Sequence, residues 1–280
     1  MGVARDRCHR STGLCFGLVL GLGLGLGSGC TARPEKATVQ RVVLSLPPSM
    51  DRDSAARERL REDVRSQLAI DDLTEITDEA DSATHIVKVE VIEELGANDV
   101  AKRAVAVELK SLSEGMVLES IGAPGDNPKN WILEAFQDAW SVVTTRRMLR
   151  VARERDVIAA LKSSDLRVRA AAIGLIGDRK IEAGLEPLCR ILEDEDNELL
   201  VLRAVGALIA LGDPRATDSL IALARNKAPG FVLQVVFAVG SIGGATARGY
   251  LVTLASGHPV EAVRRGAKDA LDELERRGGR

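Results

Sequence analysis

The chain has 280 residues, of which 45% are hydrophobic and 28% charged, enough apolar side chain for one or two packed cores and too much for a disordered tail. Lysine and arginine total 38 against 41 aspartates and glutamates, a net charge of −3, which excludes a surface built to neutralise a nucleic-acid backbone. Aromatics make up 2% and there are three histidines, His9, His85 and His258, so base-stacking platforms and most metal or acid–base constellations lack raw material.

Residues 1–29 carry a basic start at Arg5, Arg7 and Arg10, an apolar run from Leu14 to Leu26, and small residues up to Cys30. This is the layout of a secretion signal, and the apolar run falls short of the roughly 20 residues of a spanning helix. Small residues directly before a cysteine resemble the lipobox of bacterial lipoproteins. The resemblance implies cleavage before Cys30 and acylation of its thiol, although Gly27 stands where such boxes carry an aliphatic side chain. Thr31 in place of aspartate then implies sorting to the outer membrane of a Gram-negative envelope. Cys8 and Cys15 leave with the signal, so Cys189 has no disulfide partner and reads as a small core hydrophobe.

A tether at 30–38 leads into a small α/β domain at 39–150. Arg41–Leu46 reads as a strand stopped by Pro47-Pro48. Asp53-Ser54 can cap a helix whose Leu60, Val64 and Leu68 share one face. Val87, Val89 and Val91 alternate in one strand, Val105, Val107 and Leu109 in the next, and Met116–Ile121 forms a third after a Ser113-Glu114-Gly115 turn. Asp126-Asn127-Pro128 then announces a helix from about Trp131, with Trp131, Phe136 or Ala135, Trp140 and Val143 inward. The runs Ala83–Val89, Val105–Leu109, Ser113–Glu119 and Ala135–Trp140 resemble the small envelope domain of curli-secretion-type and penicillin-binding-protein-activator lipoproteins, which implies a binding or assembly module.

Residues 151–280 repeat. Gly177-Asp178, Gly212-Asp213 and Gly243-Gly244 each close an apolar helix, at spacings of 35 and 31, and Val168-Arg169 returns as Val263-Arg264. A period of this size is the mark of a stacked α-solenoid. First helices offer Val168, Ala172 and Leu175, then Leu202, Val205 and Ile209, then Val232, Val236 and Val239. Second helices offer Leu185, Leu188 and Leu192, then Leu220 and Leu223, then Ala247, Leu251 and Leu254, so each type should carry one apolar stripe. The last helix, Val260 to Arg277, turns Val263, Ala267, Ala270 and Leu274 inward and Arg264 outward, as a polar end cap. The stretches Ser164–Gly177 and Ala210–Ile221 resemble the short HEAT-like repeats first associated with bilin lyases, while the first unit is three residues longer between Gly177 and Leu188 than the second between Gly212 and Leu220.

Chemistry is sparse. Glu193-Asp194-Glu195-Asp196 lacks the glycine and distant glutamate of a calcium loop and reads as solvated. Arg146, Arg147, Arg150, Arg153 and Arg155 could meet lipid phosphates or an anionic glycan, but read first as the wet face of the helix joining the domains. His85 and His258 have no second ligand at metal spacing, and no nucleophile elbow or phosphate loop occurs, so no catalytic residue, metal or cofactor is assigned. The expectation is a small α/β domain followed by an all-α HEAT-like solenoid, a non-enzymatic, membrane-anchored periplasmic adaptor. It would bind a protein partner through second-helix residues Glu186, Arg190, Asp218, Arg225 and Arg248. An activator of a cell-wall synthase and a prosthetic-group lyase are the alternatives that the resemblances supply.

Overall fold

The computed structural model describes residues 33–278 apart from 49, 96–100, 126–129 and 226, so the signal, Cys30 and the Asp126–Pro128 cap lie outside the described residues. The first part runs β1 (Ala37–Ser45), α1 (Ser54–Ile70), β2 (Thr74–Ile76), β3 (His85–Leu95), β4 (Ala101–Ser111), β5 (Val117–Gly122) and α2 (Trp131–Val151). The sheet order is β2-β1-β3-β4-β5, with β1 parallel to both neighbours and β3, β4 and β5 antiparallel. β1 begins inside the stretch expected as tether because Ala37 and Val39 continue its inward alternation and are fully buried. The three-residue β2 leaves no periodic signal.

The alternation read from sequence sets the register. Val87, Val89 and Val91 face Leu109, Val107 and Val105 across the β3–β4 ladder, all on the face covered by helices. Asp53 accepts hydrogen bonds from the Ala55 and Ala56 amides at 2.9 and 3.0 Å and so starts α1. Trp131, Phe136, Trp140 and Val143 of α2 are buried on the sheet, and the Phe136 and Trp140 rings stack with centroids 6.1 Å apart. Gly122 lets α2 come this close, since a Cβ there would lie 1.8 Å from the Ala135 carbonyl oxygen. The opposite face carries Lys88, Glu108 and Glu119, aligned across three strands.

The second part contains α3 (Glu154–Ala160), α4 (Leu166–Asp178), α5 (Leu185–Asp194), α6 (Glu198–Leu211), α7 (Thr217–Leu223), α8 (Pro229–Ile242), α9 (Ala245–Gly257) and α10 (Glu261–Gly278). First helices α4, α6, α8 and α10 stack in one layer, and second helices α5, α7 and α9 stack in the other. One apolar core runs through both layers and takes in Val142 and Leu149 from α2. Thus α2 is buried on two sides, one against the sheet and one against the solenoid.

The unequal length of the first unit has a simple cause. Lys180, at φ +51°, holds the left-handed position that Gly212 and Gly243 hold at +69° and +81°. All three stand eight residues before a buried leucine, Leu188, Leu220 and Leu251, so the repeat spacings become 32 and 31. Gly177 is not the turn residue. It allows a close approach instead, because a Cβ there would lie 3.0 Å from Ala207 Cα. Gly240 plays the same part between α8 and α10, against Ala270.

Two expectations about helix faces are corrected. Leu202 is 38% exposed, and α6 is anchored by Leu200, Val201, Ala204 and Leu208 with Val205. α6 and α8 are apolar almost all round, so no single stripe defines them, and their neighbours choose which side is buried. Arg264 is only half-exposed, and its guanidinium donates to the carbonyls of His258 and Pro259 at 2.7 and 3.0 Å, holding the turn into α10.

Candidate interaction surface

The two layers of the solenoid differ on their outer sides. Along the second helices the outward residues are mostly polar, with Val252 of α9, 49% exposed, the large apolar exception. Glu186 and Arg190 of α5 pair with each other, Asp218 sits in the first turn of α7, Arg225 lies just beyond that helix, and Arg248 of α9 reaches Glu275 of α10 at 2.8 Å. All five are exposed, and the Glu186–Arg190 contact is the one ion pair joining two of them among the described residues. Three of the five, Glu186, Arg190 and Arg248, are engaged in ion pairs.

The outer side of α4, α6 and α8 carries exposed apolar side chains. Leu166 of α4, Leu199 and Leu202 of α6 and Phe237 of α8 are 46%, 59%, 38% and 68% exposed. Exposed large apolar groups repeated along one layer are candidate contact positions. Composition held the signal: α6 and α8 carry a single basic residue between them, far fewer charges than a half-solvated helix pair needs.

Where this layer meets the sheet there is a cleft of 490 Å³, lined by Glu119 and Ile121 of β5, Arg146 of α2, Leu166 and Ala170 of α4, and Leu199 and Arg203 of α6. β5 is the last strand of the sheet, and two arginines occupy carbonyls on its free edge. Arg146 donates to Glu119 and Arg167 to Ile121, which blunts the edge against pairing with another strand. Arg167 also holds Asp138 of α2 at 2.8 and 2.9 Å and Asp165, the N-cap of α4, and thereby ties α2, β5 and α4 together. Both carboxylates hold the Arg167 guanidinium firmly charged, and the Arg167 hydrogen bond keeps the Asp165 carboxyl below its ordinary range.

The expected wet basic face does not exist as a unit. Arg147 is buried and donates to the carbonyls of Leu73 and Glu35 at 3.0 and 2.6 Å, with burial pushing its pKa down. Arg153 and Arg155 pair with Asp156. Arg146 and Arg150 turn toward the solenoid and meet Arg203 at the edge of the cleft. The acidic run is also less solvated than expected, because Glu195 pairs with Arg169 with both side chains largely covered.

The remaining chemical candidates are dispersed. His85 Nδ1 lies 2.8 Å from Thr84 Oγ1, and His258 Nδ1 accepts the Val260 amide at 3.2 Å. Cys189 packs at the margin of the solenoid core, where burial pushes its thiol up. Among the described residues no cluster of three or more His, Cys, Asp or Glu is placed to hold a metal ion, and no helix is long and apolar enough to cross a membrane.

The family profile of HEAT repeats matches residues 154–238, from the start of α3 into α8. No curated protein matches the chain at a significant level. Among solved structures, the hypothetical protein CT253 from Chlamydia trachomatis aligns at 11% identity over 44% of this chain and 94% of that one, with a TM-score of 0.23. A likeness that faint bears on neither fold nor function. The repeat spacing, the two stacked layers and the profile agree: this chain joins a five-stranded mixed sheet with two covering helices to a run of stacked helices that matches HEAT repeats over residues 154–238.

Proposed function

We propose that the protein is a non-catalytic adaptor of the bacterial envelope, anchored through acylated Cys30 to the periplasmic side of the outer membrane and binding a protein partner through its solenoid. HEAT repeats in general mediate protein–protein interaction, which gives the coarse reading its footing. The observation that carries the reading is the uncovered apolar outer side of the first helices, with Leu199 at 59% and Phe237 at 68% exposure. This replaces the second-helix residues Glu186, Arg190, Asp218, Arg225 and Arg248 as the first place to look for contact, since their side chains are polar and two of their ion pairs are internal.

The anchor rests on the sequence pattern before Cys30. Cys30→Ala should move the protein from the membrane to the soluble fraction, because a chain whose described helices include none able to span loses its main membrane affinity with the acyl group. Retention on membranes through a high-salt wash would remove the anchor from the reading. The adaptor role is tested by a photoreactive phenylalanine analogue at Leu199 or Phe237 of the full chain in intact cells. A specific protein adduct at these positions, with none at Glu186, supports it. Capture of a cell-wall synthase would make the adaptor an activator, whereas no adduct at either face would sink the role.

A further inference from the structure

The cleft between the sheet and the first helices has a charge pattern that the fold does not account for. Several arginines of this region are matched to acids, Arg167 to Asp138 and Asp165, Arg169 to Glu195 and Arg153 to Asp156, and Arg147 is buried on two carbonyls. Arg146, Arg150 and Arg203 converge from α2 and α6 over Ala170, Ala171 and Gly174 of α4, and none of the three has an ion pair among the described residues. The acids that face them are Glu119 and Asp178, one fewer than the arginines, in a chain whose net charge is −3. Arg146 is partly desolvated as well, and its burial makes the protonated form harder to keep, with Glu119 opposing this and the charges of Arg203 and Arg150 adding to it. Three mutually repelling guanidiniums at one edge of a cleft are unfavourable for the free protein and become favourable when carboxylates enter.

The remaining walls are apolar. Ile121 of β5, 58% exposed, Leu166 of α4 and Leu199 of α6 line the same space from three elements. An occupant therefore needs both an apolar side chain and negative charge close by. A bilayer surface meets these requirements poorly, because the apolar groups line a concave space from several sides and do not project in a common plane. A strand added to β5 is disfavoured too, since Arg146 and Arg167 already occupy the Glu119 and Ile121 carbonyls.

We propose that this cleft receives an acidic, apolar segment of the partner protein, with carboxylates on Arg146, Arg150 and Arg203 and an apolar side chain seated against Ile121, Leu166 and Leu199. The assignment rests on the adaptor reading and narrows it to one site and one partner chemistry.

Fluorescence anisotropy with the full chain tests it, using short labelled peptides of alternating glutamate and leucine as the probe. The Glu/Leu peptide should bind, and alternating Lys/Leu and Glu/Ser peptides should not. Arg203→Glu and Leu199→Ser should each weaken Glu/Leu binding about tenfold or more, and Arg190→Glu on the second-helix side should leave it unchanged. Arg203 and Leu199 are exposed and make no ion pair or buried contact that folding depends on, so circular dichroism of both variants should match the parent. Failure of the parent to bind the Glu/Leu peptide, or binding indifferent to Arg203→Glu, overturns the proposal. So does binding to phosphatidylglycerol vesicles that Arg203→Glu abolishes while the peptide stays unbound. Peptide binding lost in Arg190→Glu instead would overturn the placement yet leave the adaptor reading standing, as would cellular adducts confined to Glu186.

Discussion

The two helix layers of the solenoid share a core and diverge outside it. Second helices α5, α7 and α9 bury leucines inward and show water mainly polar groups, some paired locally as Glu186 is with Arg190, and one large apolar side chain, Val252. First helices bury Val201, Val232, Val236 and Val239 inward and still show Leu199, Leu202 and Phe237 outward. Burial inside a layer is settled by stability. Apolar exposure outside it lowers solubility and contributes nothing to the fold, so it is the layer with surplus hydrophobicity, and not the one with charged side chains, that points to a partner.

Four substitutions separate these roles by size of effect. Val236 is 2% exposed between first helices, and Val236→Asp should cost about 3 kcal/mol or more of folding free energy in urea unfolding, from an unpaired carboxylate in an apolar contact. A loss under 1 kcal/mol would mean that the inner side of α8 has been misidentified. Arg264→Asp removes two hydrogen bonds to carbonyls at the start of α10 and places a carboxylate beside them. Its cost should be about 1 to 2 kcal/mol, above the few tenths of an ordinary surface change.

Lys180→Gly should stabilise the protein by about 0.5 to 1 kcal/mol, since lysine at φ +51° pays a steric cost that glycine avoids. Unchanged or lower stability would argue that Lys180 is not the counterpart of Gly212 and Gly243. The smallest effect belongs to the outer side: Phe237→Ser should change the free energy of unfolding by no more than about 0.5 kcal/mol while reducing cellular crosslinking from Leu199. A large stability loss there would turn the exposed phenylalanine into a packing residue and remove the contrast between the layers.

Part of this was readable in advance. The alternation of Val87, Val89 and Val91 and of Val105, Val107 and Leu109 fixed strands and their buried side, because a period of two leaves one solution once one face is covered. The second-helix leucines were placed correctly for a similar reason, since polar residues fill the rest of those helices. α6 and α8 gave no such contrast. Leu202 read as inward because an apolar residue at helical spacing is ambiguous when its neighbours are apolar as well.

By itself the sequence determined the two-part organisation, the α/β order, and the solenoid and its period, because these depend on spacing along one chain. Tertiary structure alone decided that Lys180 takes a glycine's position, that Arg147 is buried under two carbonyls while Arg146 and Arg150 turn to meet Arg203, and that a cleft opens beside β5. The arginine run looked like one wet face because consecutive charges on a helix usually stay in water. α2, however, is packed between a sheet and a solenoid, so Arg146 and Arg147 reach carbonyls on different sides while Arg150 faces the solenoid. Which side of an element is solvent is a property of what packs around it, and that is set by residues far away in the chain.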